Sequence, residues 1–177
     1  MASVGHVAVG LAAARRWGGD RRRVLATLAL PALSLLPDVD VLGFARGVPY
    51  GSPFGHRGAT HSLAAALLVG LAAAALARPL RLNPLTTFAL VTGVVASHGL
   101  LDTMTDGGLG VALLWPFSLR RFFFVWRPIP VAPIGLGLLS RRGAAVLALE
   151  SVQFSPFWLY ALWPRRRPGA ERARDLS

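Results

Sequence analysis

Cysteine is absent from this 177-residue chain, which excludes a disulfide scaffold, a thiol nucleophile and every thiolate metal site. Lysine is absent as well: all nineteen basic residues are arginines. Acids are scarce, eight in total, and histidine occurs only four times. Charged residues make up 15% of the chain against 54% apolar, and the mean hydropathy is +0.52. That balance is far more apolar than a soluble domain of average composition and points to an integral membrane protein of one domain. A net charge of +11 would suit nucleic acid or anionic lipid. In a membrane protein, however, arginine-rich loops hold helices at the cytoplasmic face. No basic patch interleaved with aromatics is present, so nucleic acid is not an expected partner.

The apolar residues fall into five runs. Ala2 to Ala14 has its positive charges (Arg15, Arg16, Arg21, Arg22, Arg23) behind it, the reverse of a cleaved signal peptide. Val24 to Leu36 carries a kink signal at Pro31, and each of these two runs reaches only about 20 Å. His61 to Ala77 and Leu85 to Leu101 reach about 26 Å each, and Gly143 to Trp163, at about 31 Å, is the best single spanning candidate. Leu109 to Phe117 and Val131 to Leu139 are too short to cross and read as interfacial or re-entrant pieces. Trp115, Trp126, Trp158 and Trp163 belong at headgroup depth. The expected architecture is an all-α integral membrane bundle of about four to five membrane-embedded helices, two of them short. Residues 1–164 form its single domain, and residues 165–177 an arginine-rich, disordered cytoplasmic tail.

Alternating the five segments puts twelve arginines on one side (15–23, 78 with 81, and 165–174) and seven on the other, which assigns the first side to the cytoplasm. The four histidines, and four of the five acids between Val24 and Trp163, fall instead at or beyond the opposite ends of the same segments. His6 opens the first, Asp38 and Asp40 close the second, His56 and His61 precede the third, and His98 with Asp102 closes the fourth. Folding therefore gathers them at one face, expected to be the non-cytoplasmic one.

Local spacing supports ligation. His98 and Asp102 are four apart, so a helix presents both from one face to a single ion. Asp38 and Asp40 flank one residue after Pro37, and an extended backbone would aim both carboxylates the same way. His61 fits the first turn of its helix with Thr60 or Ser62 as N-cap, while His56 sits in a glycine-containing loop. His6, Asp38, Asp40, His56, His61, His98 and Asp102 make seven candidate ligands, enough for one or two ions, since a catalytic zinc takes about three from protein. The nitrogen and oxygen mix suits Zn, Mn or Fe. A pair of such ions can bind a phosphoester and generate hydroxide at neutral pH. Arg57, inside the histidine cluster, is the first candidate to complement a phosphate, and Arg120 with Arg121 the next. Asp106, before Gly107 and Gly108, reads mainly as turn chemistry. Glu150, alone in the final run, has no assigned role. No Ser-His-Asp elbow or phosphate-binding glycine loop competes.

Pro37-Asp38-Val39-Asp40, His56-Arg57-Gly58-Ala59-Thr60-His61-Ser62, His98-Gly99-Leu100-Leu101-Asp102-Thr103 with Thr105, and Trp115-Pro116-Phe117-Ser118 followed by Arg120-Arg121-Phe122 occur in that order. Over about residues 3 to 125 this pattern resembles the YdjM-like family of membrane-bound metal-dependent hydrolases, itself distantly similar to zinc-dependent phospholipase C. The resemblance implies an inner-membrane helical protein in which His61, His98, Asp102 and one or both of Asp38 and Asp40 ligate metal, with His6 and His56 as further ligands. The expected activity is hydrolysis of a phosphoester, a phospholipid or lipid-linked phosphate, by metal-bound hydroxide, with Asp38, Asp40 and Arg57 catalytic. The rival readings are a structural metal site without catalysis, which predicts unfolding on metal removal, and a divalent-cation transporter, which predicts ligands near the bilayer midplane.

Overall fold

The computed structural model describes residues 3–17 and 20–164, so the arginine-rich tail expected over 165–177 lies outside the described residues. These contain six α-helices and no named strand: α1 (Ser3–Ala14), α2 (Asp20–Ser34), α3 (Leu63–Ala77), α4 (Pro84–Thr103), α5 (Arg141–Gln153) and α6 (Ser155–Leu162). Three 3-10 segments, Leu36–Arg46, Ala59–His61 and Gly135–Leu139, complete the helical content.

The architecture is all-α, and the membrane-capable part is smaller than the apolar runs suggest. Among the described residues only α4 is long and apolar enough to cross alone. Two bent pairs raise the number to three if each is one span: α2 with Leu36–Arg46, bent by 44°, and α5 with α6, bent by 63°. Gly143 to Trp163 is therefore not one continuous span. Pro156 takes an early position in α6, where a missing N–H costs nothing at a helix start but breaks a helix interior. Pro31, by contrast, stays inside α2, and the bend comes later, at the change to 3-10 geometry. α1 and α3 are apolar but short.

The helices pack through small residues. A methyl on Gly10 of α1 would lie 2.7 Å from Pro31 Cα, so glycine there lets α1 and α2 approach closely. Ala14, Ala26, Leu30, Ala66, Val91, Val94 and Val95 form a buried cluster joining α1 to α4, and Ala8, Ile129 and Phe154 a second one that brings in the C-terminal helices. Arg15 at the end of α1 donates to Ala161 O (3.1 Å) and Trp163 O (2.6 Å), and its guanidinium lies 4.9 Å from the Tyr160 ring centroid. The C-terminal ends of α1 and α6 thus meet at the arginine-rich end.

At the opposite end, residues 47–62 and 104–140 form an irregular cap. It is closed by isolated bridges Thr105–Ile129 and Val111–Phe122 and by hydrogen bonds from Ala112 N to Arg57 O and Leu63 N to Leu113 O, both 3.0 Å. Neither Leu109 to Phe117 nor Val131 to Leu139 forms a crossing helix. The Asp106 carboxylate accepts from Val131 N at 2.7 Å, which is turn chemistry.

Candidate metal centre

Helix α4 contributes His98 and Asp102 from its last turn and a half, both fully buried. His61 reaches them from the turn just before α3, whose N-cap is Ser62: the Ser62 hydroxyl accepts from Ala65 N at 3.0 Å. His61 therefore precedes the helix instead of occupying its first turn. Gly99, which spacing alone did not single out, makes this approach possible. A methyl on it would overlap the His61 carbonyl, so only glycine lets the 59–62 turn lie against α4.

Asp38 and Asp40 do not sit on extended backbone. They lie in the 3-10 segment that continues from α2, where three residues complete a turn, so positions two apart diverge by about 120°. Their carboxylates accordingly serve different neighbours. Asp38 Oδ1 is 3.4 Å from His61 Nε2 and 3.3 Å from His98 Nε2. Asp40 turns to His56 Nδ1 (2.8 Å), His61 Nδ1 (3.1 Å), the Thr60 hydroxyl (2.7 Å) and the Arg57 amide (3.2 Å).

Two groups result, Asp38–His61–His98–Asp102 and Asp40–His56–His61, and either set of side-chain atoms is close enough to hold a metal ion. They share His61, one ring nitrogen each. In the first group the two Nε2 atoms face each other at 3.2 Å, and Asp102 Oδ2 is 3.6 Å from His61 Nε2 and 3.9 Å from that of His98. The other nitrogens are engaged: His98 Nδ1 is 2.7 Å from the Ser34 carbonyl, and His61 Nδ1 faces the Asp40 carboxylate. Those acceptors place the ring protons on Nδ1 and leave both Nε2 lone pairs facing inward. Two ring nitrogens and two carboxylate oxygens face one another here, 3.2–3.9 Å apart wherever a nitrogen is one of the pair, and such a group could hold a metal ion. Four donors on a tetrahedral zinc, with bonds of about 2.0–2.1 Å, stand about 3.3 Å from one another, so the donor set fits such an ion. A proton can take the ion's place in part: burial disfavours the His61 imidazolium, but the hydrogen bonds it donates to the Asp38 and Asp40 carboxylates outweigh this and raise its pKa to about 9.

His6, in α1, is fully buried and stacks on His98 with ring centroids 3.6 Å apart and planes 11° from parallel. Its Nε2 is 3.7 Å from Asp102 Oδ1, and neither ring nitrogen has a hydrogen-bond partner. His56 stays in the second group, edge-on to His61. Arg57 is also buried, with φ +62. Its Nε is 3.1 Å from Asp102 Oδ2, and its Nη1 donates to Thr105 Oγ1 (2.8 Å) and Gly107 O (3.1 Å). The arginine expected to face a phosphate thus holds a candidate ligand. Arg121 donates to the carbonyls of Tyr50, Ser52, His56 and Gly110 at 3.1–3.3 Å, clamping the cap, whereas Arg120 is exposed. Glu150 is fully buried, with Gly5 N 3.4 Å from its Oε2; it braces the first turn of α1, which carries His6. Nothing in the spacing signalled this contact, or the Ser34 carbonyl behind His98.

The family model of the YdjM inner membrane protein matches residues 1–166. The chain belongs to the YdjM inner membrane protein family. It is 48% identical over 142 residues to inner membrane protein YbcI of Escherichia coli (strain K12), covering 76% of this chain and 81% of that relative. The family, this relative and the apolar α4 make the chain an inner membrane protein. No solved structure matches it.

Proposed function

We propose that this YdjM-family protein is a membrane-bound metal-dependent hydrolase of phosphoesters, a phospholipid or another lipid-linked phosphate, with a zinc-type ion held by Asp38, His61, His98 and Asp102. The observation that carries this reading is the facing pair of Nε2 atoms, each with its Nδ1 already spoken for, closed by two carboxylates. An ion held there supplies Lewis acidity toward a phosphoryl oxygen and lowers the pKa of a bound water. The chain's own residues do the rest. Asp40 and Ser34 fix the ring orientation of His61 and His98, Arg57 steadies Asp102, and His6 covers the buried side of His98. Asp38, whose side chain is 27% exposed while the other three are at most 1% exposed, is the ligand on the open side, where substrate would enter. Exposed Arg120, beside the cap, is the arginine left to meet a phosphate.

In this reading Asp40 and His56 support one ion, and a second ion would need Asp40 to give up its donors. α1 and α3 lie embedded beside the spanning helices, making four to five embedded helices, and the site faces the non-cytoplasmic side because the arginines gather at the other end. A purely structural ion is the second reading, favoured by one observation: four protein donors already fill a tetrahedral shell, as in structural zinc sites. Ligands within the last turn and a half of α4 speak against a midplane transport site.

Elemental mass spectrometry of detergent-purified protein, wild type beside His98→Ala and Asp102→Ala, tests the centre, with the same samples assayed on a generic phosphodiester and a labelled phospholipid. Zinc or manganese lost together with turnover in folded variants supports the hydrolase. A metal-free wild type from metal-replete cells overturns the centre, and bound metal without turnover, lost on unfolding, supports the structural ion.

A further inference from the structure

The apolar helices also border a groove that starts at the arginine-rich end. A cavity of about 320 Å³ runs between α2, α3 and α4, within the range of small-molecule sites. Its wall on α2 extends from Arg22 to Leu33, about 17 Å along the helix. One end is framed by Trp17, Arg22, Leu80 and Thr87, all at or near the connections that carry the exposed arginines, and the other by Leu33 and Val91. Apart from Arg22 and Thr87 the lining is apolar throughout.

We propose that this groove binds one acyl chain of an anionic phospholipid of the cytoplasmic leaflet, with its headgroup phosphate at Arg22. The polarity along the groove decides the occupant. A cation at one end followed by about 17 Å of apolar wall matches an amphiphile lying parallel to the helices, in the orientation a bilayer lipid already has. Tryptophan and arginine at the same end put the ligand's polar end at headgroup depth. A helix from a second copy would leave Arg22 facing an apolar surface. Arginine near a membrane surface favours anionic headgroups by a factor of about five per residue, so Arg22 makes the site selective as well as greasy. The leaflet rests on the orientation proposed above, and the apolar end of the groove, at Leu33, adjoins the Ser34 carbonyl that holds His98.

Trp17 supplies the probe. Full-length protein in detergent is titrated with phosphatidylglycerol brominated on its acyl chains, and fluorescence quenching is compared with that of Trp17→Phe, so that the difference reports Trp17. Saturable quenching near one lipid per chain is expected, with brominated phosphatidylcholine about fivefold weaker. Arg22→Gln should erase that preference while keeping quenching, and Ala29→Phe, which fills the lining, should abolish the Trp17 signal at unchanged metal content. Quenching that never saturates, equal binding of the two lipids by the wild type, or a dimer whose formation excludes lipid would each overturn the proposal.

Discussion

The two histidine–aspartate groups share a residue, His61, yet are built on opposite principles. In Asp40–His56–His61 every polar atom of the carboxylate faces a donor: His56, His61, Thr60 or the Arg57 amide. The group is closed upon itself. In Asp38–His61–His98–Asp102 the two Nε2 atoms and the carboxylates face one another, the histidine Nδ1 atoms are turned outward to Ser34 and Asp40, and only Asp102 has a guanidinium, that of Arg57, beside it. Chemical composition is almost the same; proton placement is not. A cluster of histidine and aspartate is better prepared for an ion where its donors are engaged elsewhere, and here the Asp40 group engages a donor of the other.

Breaking the open group should have the largest effect. Asp102→Ala removes a ligand and leaves Arg57 buried without its carboxylate, which costs about 3–5 kcal/mol in such settings. We expect complete loss of bound metal and a lower Tm, read by elemental analysis and thermal unfolding. Restoring stability by Arg57→Met in the same chain, still without metal, would separate the two consequences. Gly99→Ala comes next. It displaces His61 from both groups at once, so metal should fall to a small fraction of wild type, with about 1–3 kcal/mol of destabilisation from overpacking; wild-type metal content in that variant would show that the 59–62 turn is free to move. Asp40→Asn is milder, because outer partners of a metal-bound histidine typically matter by about 10- to 100-fold in affinity. Saturating zinc should refill this variant to the wild-type stoichiometry. A drop from two equivalents to one would instead reveal Asp40–His56–His61 as an ion site of its own.

Six of the seven candidate ligands gather in the two groups, and their meeting was legible because ionisable residues are rare in this chain and fall at matching ends of its apolar runs; His6, the seventh, stacks on His98 outside both groups. Helical spacing carried His98 with Asp102 all the way, since α4 is regular there. It failed at Asp38 and Asp40, where no residue signals 3-10 geometry, and so the divergence of the two carboxylates was invisible. Arg57 was read as the partner of a phosphate because sequence shows its neighbours along the chain but not Thr105 and Gly107, which reach it through the cap. The break at Ser155-Pro156 was present in the letters, yet hydropathy alone ran through it. Glu150 and the Ser34 carbonyl act across elements distant in sequence, and a backbone carbonyl has no signature at all.

Acidity discriminates between the groups without changing a residue. With its pKa near 9, raised by Asp38 and Asp40 against the effect of burial, metal-free His61 is protonated at neutral pH, and an ion must displace that proton. Apparent zinc affinity should therefore rise about tenfold per pH unit between roughly pH 6.5 and 8.5, levelling off toward 9. The metal-free protein should move the other way. A histidine whose folded pKa exceeds its unfolded value contributes stability that is complete below about 6.5 and is lost as pH climbs through 9, so the Tm of chelator-treated protein should fall across that interval. Asp40→Asn removes one of the two carboxylates that hold the proton, and its affinity curve should level off at a lower pH than the wild type's. Identical curves would mean that Asp40 does not set the protonation of His61, and the division of labour between the two groups would fail with it.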